Sequence, residues 1–234
     1  MKVVRKRHSS RVPFKPERSV TKQDLKQILE AARWAPTAHN MQNFEIIVVD
    51  NKALLEKIGN IKSPISAAFI RENYRQLSFS RKELLRKKVG ILATMFPPDW
   101  RDPAKVNEIV RESKSWLLSE TTEGSPIILI VIYDPRKRAP ASKGDFLGII
   151  SLGCVLESMW LVAQDLRISF HVMSVFAAAS VEDRLKRLLD IPEYMRIAFA
   201  IRMGYPLSTS AKYLRVRRDL EAFVHDNRYG RRWS

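Results

Sequence analysis

Residues 31–49, AARWAPTAHNMQNFEIIVV, set the plan of the chain. Just upstream, Leu25, Ile28, Leu29 and Ala32 recur at helical spacing behind Thr21, with Asp24 at the third position after it. That pattern predicts a capped amphipathic helix over residues 21–35. Pro36 stops it, because the residue before a proline is driven out of the helical region. A polar loop follows (Thr37, Ala38, His39, Asn40, Met41, Gln42), and then residues 44–49 form an apolar, β-branched run that predicts a strand covered on both faces. Helix, polar loop and buried strand in that order make a platform on which hydroxyl, amide and imidazole groups can meet a ligand.

Working outward, residues 52–58 read as a short helix, Ser63-Pro64 as the start of another reaching Tyr74, and residues 81–89 as a third. Phe96-Pro97-Pro98-Asp99-Trp100 breaks the chain with aromatics beside a double proline, which fits a lid over a pocket or packing at a subunit contact. Residues 104–118 are helical, and PIILIVIY at 126–133 is a buried strand. Asp145 caps a long helix to about Arg167, residues 168–176 and 196–203 are strands, and between them a helix over 181–189 stops near Pro192. Helices and strands without regular alternation give an α+β fold, and the chain lacks both GxGxxG and GxxxxGK[ST]. With no Gly- or Ser-rich linker, residues 1–234 read as a single domain.

Composition sets further bounds. A chain of 234 residues can bury one sizeable core. The lone Cys154 cannot form an intrachain disulfide, which fits a reducing, cytoplasmic setting. Residues 1–18 are basic and proline-interrupted, without the apolar core of a secretory leader. Residues 146–164 are nearly long enough to span a bilayer, but Ser151, Glu157 and Ser158 interrupt them, so a buried central helix is expected and no membrane partner. The net charge of +16 and pI of about 10.2 fit steering of anionic ligands, with nucleic-acid binding as the minority reading. His8, His39, His171 and His225 show no metal-ligand spacing and no Ser-His-Asp order, so no metal site is expected.

Arg7, Ser9 and Arg11 lie at alternate positions, so an extended backbone would present two guanidinium forks and a hydroxyl on one side, a set suited to a phosphate monoester. The segment KRHSSR (residues 6–11), followed by APTAHNMQNF (residues 35–44), resembles the nitroreductase family, whose members open with R-x-S-x-R/K, end a helix in A-P-S and carry N-x-Q before an apolar strand. The resemblance implies a central, mainly antiparallel mixed sheet flanked by helices, a homodimer with a C-terminal extension, and a lid-like segment at about 62–122. It also implies bound FMN. Arg7, His8, Ser9 and Arg11 would hold its phosphate and ribityl end, with Arg11 reaching the N1/O2 edge of the ring. Arg215 and Arg217 would complete the phosphate site. Pro36, Thr37, Ala38, Asn40 and Gln42 would meet the flavin of the neighbouring subunit. Asn73 would contact the pyrimidine, and Val172 or Met173 would offer a backbone N–H to N5.

Thr37 and Ala38 stand where the family commonly has serines, Asn43-Phe44 where it has Pro-Trp, and the usual glycines are missing from residues 169–174. The implied activity is hydride transfer from NADH or NADPH through the flavin to a small-molecule oxidant such as a nitroarene or quinone. Flavin-destroying and dehalogenating enzymes of the same fold are the alternative, although Glu72, Tyr74 and Lys82 do not reproduce the dehalogenase set. A basic nucleic-acid-binding protein is the rival from another class.

Overall fold

The computed structural model describes residues 1–15, 17–63, 66–72, 78–93, 98–112, 116–122, 124–208 and 214–233. They form two compact units, Met1–Ser63 with Leu117–Ser210, and Pro64–Trp116 with Ala211–Ser234.

The first unit is built on a sheet of β1 (Phe44–Val49), β2 (Ile127–Tyr133), β3 (Ser169–Met173) and β4 (Arg196–Gly204). The strand order is β1-β2-β4-β3, and each neighbouring pair is antiparallel. Its helices are α1 (Lys2–Lys6), α2 (Lys22–Arg33), α3 (Lys52–Gly59), α4 (Phe146–Asp165) and α5 (Ala179–Leu189). Residues 127–132 of β2 are at most 5% exposed, so both faces of this central strand need cover. Side chains alternate across a strand. Ile127, Leu129 and Val131 accordingly pack with Ile28 and Ala32 of α2 and Leu152, Val155 and Met159 of α4. Ile128, Ile130 and Ile132 pack with Ile58 of α3 and Val181 and Leu185 of α5. Each such aliphatic side chain contributes about 1.5–3 kcal/mol on full burial. The result is three layers, helix, sheet and helix, around an antiparallel sheet.

The expected helix behind Thr21 is present, with the Thr21 hydroxyl accepting from the Asp24 N–H at 3.0 Å. β1 contributes to both cores as its apolar run predicts, but it is an edge strand, and Glu45 remains exposed. Two expectations about α4 are corrected. Asp145 occupies its N-cap position, but the Asp145 side chain makes no capping hydrogen bond. Nor is the helix buried all round: Gly148, Ser151, Leu152, Val155, Met159 and Ala163 form an inward stripe, while Phe146, Ile149 and Ile150 are exposed. The helix is long and apolar enough to cross a membrane by length and composition, yet its inward stripe lies on α2 and the sheet like that of a core helix. α5 begins at Ala179 and ends at Leu189, where the C-cap residue Asp190 takes a left-handed conformation ahead of Pro192.

In the second unit, short helices at Ala67–Arg71 and Val106–Glu112 pack around a small core of Ile70, Trp100 and Val106, and a third helix, Arg81–Lys87, lies against the short parallel strands Ser78–Phe79 and Ile91–Leu92. Ser66, rather than Ser63-Pro64, caps the first, accepting from the Phe69 N–H. Ser80 and Glu83 form a capping box on the Arg81–Lys87 helix. The helix expected over 104–118 is shorter, because Trp116–Leu117 is extended. Phe96 and Pro97 lie outside the described residues. Lys88 pairs with Asp219, tying the C-terminal segment to the Arg81–Lys87 helix.

In the first unit, residues 13–15 are stitched to the chain after β4: Lys15 N–H donates to the Tyr205 carbonyl at 2.8 Å and Leu207 N–H to the Pro13 carbonyl at 2.9 Å. Phe14, 1% exposed, seals this junction against Gly204. A Cβ on Gly204 would lie 3.0 Å from Phe14 Cγ and 3.0 Å from Pro126 Cδ. Gly204→Val is therefore expected to destabilise the fold by about 1–3 kcal/mol through overpacking. Urea unfolding of the two proteins measures it, and an unchanged midpoint would remove the close-packing role.

Candidate functional site

Arg7 leaves α1 with an extended backbone, and the chain then runs beside β3. Ser9 pairs with Phe170 in a parallel bridge, and Ser10 N–H donates to the Phe170 carbonyl at 2.9 Å. The Ser10 side chain is fully buried, Ser9 is half-buried and Arg11 is exposed. Arg7 turns toward α4, its Nε 3.1 Å from Glu157 Oε1 and its guanidinium 4.5 Å from the centroid of the Trp160 ring. Trp160 in turn stacks on Phe170 at 5.2 Å. His8 Nδ1 lies 3.1 Å from the Lys6 carbonyl and donates to it.

Backbone groups alternate in direction along a strand, so the Phe170 carbonyl on Ser10 fixes the pattern of β3. Val172 presents its N–H to the same outer edge as Phe170, whereas the Met173 N–H turns toward β4. The two sequence candidates for a backbone donor are thus distinguished by strand register alone.

Behind this segment lies Arg202, 2% exposed on β4. Its Nε donates to His171 Nδ1 at 3.0 Å, its Nη2 to the carbonyls of Val12 at 3.2 Å and Ser10 at 3.4 Å, and its guanidinium lies 4.7 Å from the Phe14 ring centroid. Burial, then the charges of Arg202 and Arg11, push the His171 imidazole down to about 3, so the ring is neutral.

The 37–42 loop is shaped differently. His39, Asn40 and Gln42 all have positive φ, at 51°, 53° and 44°. Left-handed backbone in non-glycine residues costs free energy and persists where surrounding contacts impose it. Here Ala38 N–H donates to Ser151 Oγ of α4 at 2.9 Å, Gln42 N–H to Thr37 Oγ1 at 3.2 Å, and Gln42 Nε2 to Asn40 Oδ1 at 2.9 Å. Thr37, Asn40 and Gln42 therefore hold one another, with Pro36 and Ala38 at the start of the loop. Asn43, 2% exposed, has neither amide atom hydrogen-bonded among the described residues.

These groups do not all converge within one chain. The loop leads into β1 and the Arg7–Arg11 segment lines β3, the opposite edges of the sheet, three strand spacings or about 14 Å apart. Arg215 and Arg217 belong to the second unit, where Arg217 Nη1 donates to the Val216 carbonyl at 2.7 Å. Asn73 lies outside the described residues. A cleft of about 670 Å³ opens at the far end of β1 and β2, with Asp50, Lys52, Glu56 and Asn60 in its wall. It is of mixed charge and has no aromatic lining, so it offers neither the paired guanidinium groups nor the ring face found near Arg7.

The sequence profile of the nitroreductase family matches residues 4–205. The chain belongs to the nitroreductase family. No protein of curated function matches it. Among solved structures, it is similar to a nitroreductase with bound FMN from Bacteroides fragilis, at 17% identity, 90% coverage of this chain, 89% of that one and a TM-score of 0.56. It is also similar to a nitroreductase with bound FMN from Desulfitobacterium hafniense (22% identity, 89% of each chain, TM-score 0.53). An FMN-dependent nitroreductase from Clostridium difficile aligns over 97% of this chain and 98% of that one, at 18% identity and a TM-score of 0.58. These likenesses concern the fold.

Arg202, His171, Glu157, Trp160 and Ser151 entered the site from the structure. A signal existed for Arg202, since an arginine inside the apolar run IAFAIRMG demands internal acceptors. Glu157 and Ser151 read in the sequence only as interruptions of α4. The His171 environment has a measurable consequence for this nitroreductase-family protein. The unfolded chain protonates His171 near its ordinary 6.5, the folded one only near 3, so the unfolded state binds more protons between those values. Stability therefore falls as pH drops through that window, by up to about 1.4 kcal/mol per pH unit from this group. His171→Gln, whose side-chain oxygen can still accept from Arg202, is expected to flatten that part of the slope in urea titrations between pH 4 and 7; an identical slope in both proteins would contradict the assignment.

Proposed function

We propose that this nitroreductase-family protein is an FMN-dependent oxidoreductase that takes hydride from NADH or NADPH and passes it to a nitroaromatic, quinone or similar small-molecule acceptor. The observation that carries the reading is the Arg7–Arg11 segment pinned along the outer edge of β3 at Ser9 and Ser10, in a chain of this family. Two guanidinium groups and a hydroxyl along a strand edge fit a phosphate-bearing cofactor, and the FMN named in the Bacteroides fragilis and Desulfitobacterium hafniense structures supports the choice.

Arg7 and Ser9 would hold the phosphate end, with Glu157 and Trp160 orienting Arg7 from α4 and His8 beside it. Arg11, exposed, would place its charge at the N1/O2 edge, and the Val172 N–H would face N5. Arg215 and Arg217 are the further phosphate ligands implied by the family pattern. Bound FMN would supply the two-electron chemistry, while the protein provides binding, orientation and charge. Donor and acceptor would use the same place in turn, which gives ping-pong kinetics. The lone free Cys154 is consistent with a cytoplasmic setting.

The first test is the visible spectrum of the purified protein, with identification of any flavin released by heat. If each arginine–phosphate contact contributes about 1.5–3 kcal/mol, riboflavin is expected to bind at least about a hundredfold more weakly than FMN, and Arg7→Ala or Arg215→Ala to weaken FMN alone. Equal affinity for riboflavin and FMN would sink the phosphate assignment. A colourless protein that takes up no FMN and is retained by nucleic acid in a steeply salt-dependent way would favour the rival reading.

We infer further that the working unit is a homodimer. The 37–42 loop and the Arg7–Arg11 segment sit on opposite sheet edges, and α4, which holds the loop through Ser151, exposes Phe146, Ile149 and Ile150. A second copy over that face would bring one chain's loop to the other's segment. Sedimentation is expected to give a dimer for the wild type and a monomer with weakened FMN binding for Ile149→Lys; a wild-type monomer that binds FMN tightly would refute the dimeric site.

A further inference from the structure

Arg202 makes hydrogen bonds that no sequence motif announces, to Ser10, Val12 and His171, and these reach the proposed cofactor segment and its flank. Through Nη2 it donates to the Ser10 and Val12 carbonyls, which bracket Arg11. Through Nε it donates to His171 Nδ1, one residue before Val172. An arginine is always protonated and can only donate, so the imidazole nitrogen that faces it must be an acceptor. An imidazole that accepts at Nδ1 carries its single proton on Nε2, and protonating Nδ1 would set one N–H against another. Burial acts first against a second proton on His171, and among the described residues the charged groups that add to it are Arg202 from β4 and Arg11 from the N-terminal segment, both cationic. The Phe14 ring centroid lies 4.7 Å from the guanidinium of Arg202, a residue 2% exposed.

We propose that Arg202 is a positioning residue for the cofactor: it seats the Ser10–Val12 backbone, and with it Arg11, while locking His171 as an uncharged ring with its proton on Nε2. The inference rests on the FMN reading above. Its consequence is that Arg11 acts beside a neighbour whose charge does not change in the physiological range. His171 then adds no charge of its own beside Arg11 at the flavin edge. Were His171 free to titrate, a second positive charge next to Arg11 would appear on acidification, and the affinity for an anionic cofactor would follow it.

The test uses the full chain with histidine rings labelled for NMR, comparing wild type and Arg202→Gln, with FMN dissociation constants measured on the same samples. In the wild type, His171 is expected to hold the Nε2–H tautomer without titrating from pH 5 to 8. In Arg202→Gln it is expected to begin titrating above pH 5, and FMN to bind at least tenfold more weakly. Arg202→Lys serves if the glutamine variant does not fold: it keeps the charge but lacks the fork, and FMN affinity is expected to fall here as well. An Nδ1–H tautomer, an ordinary histidine midpoint in the wild type, or unchanged FMN affinity in a folded Arg202 variant would overturn the proposal. A wild type that binds no FMN at any pH would refute the functional reading and the seating role together, while the tautomer would still support or overturn the lock on its own.

Discussion

The central strand Ile127–Tyr133 imposes the constraint from which the rest follows. Six consecutive aliphatic residues point alternately to the two faces of the sheet, so neither face can meet water without exposing three of them. One face is covered by α2 and α4 and the other by α3 and α5. The position of α4 is thereby determined, and α4 carries both Ser151, which holds the 37–42 loop, and Glu157, which holds Arg7. Hydrophobic burial along one strand thus fixes the helix to which two separate parts of the candidate site are attached.

Electrostatics operates on that frame in an unusual way. Each arginine of this region is oriented by different partners. Arg7 has a carboxylate and an indole face, and Arg202 has two carbonyls and a neutral imidazole. Arg11 stands exposed nearby, with its charge felt at His171. Such a concentration of cations is stabilised further by any dianion that enters, which accords with the phosphate-binding role proposed for it.

The sheet edges give the molecule its second constraint. An edge strand has one side outside the sheet's own ladder: on β3 that side takes the cationic segment, with Ser10 on the Phe170 carbonyl, and β1 follows the loop with positive φ angles. One chain cannot fold either edge onto the other. The exposed apolar residues of α4 lie on the helix that holds the loop through Ser151 and Arg7 through Glu157, which is the ground for the proposed dimer.

The sequence by itself determined the fold class, the covered strands, the Thr21 cap and the family, because these depend on local periodicity, capping chemistry and short motifs that a chain displays before it folds. It put Arg7, Ser9 and Arg11 on a shared side only on the condition of an extended backbone, and the structure supplies the pairing of Ser9 and Ser10 with β3 after the unforeseen α1. Tertiary structure alone decided what those side chains touch. That Ser151 accepts from Ala38, 113 residues away in the chain, and that Arg202 reaches back to Ser10, 192 residues away, depends on which elements the two cores press together. It decided too that α4 is apolar on a face the first unit does not cover: hydropathy records the preference of a side chain for burial, but only packing determines whether a neighbour exists to bury it.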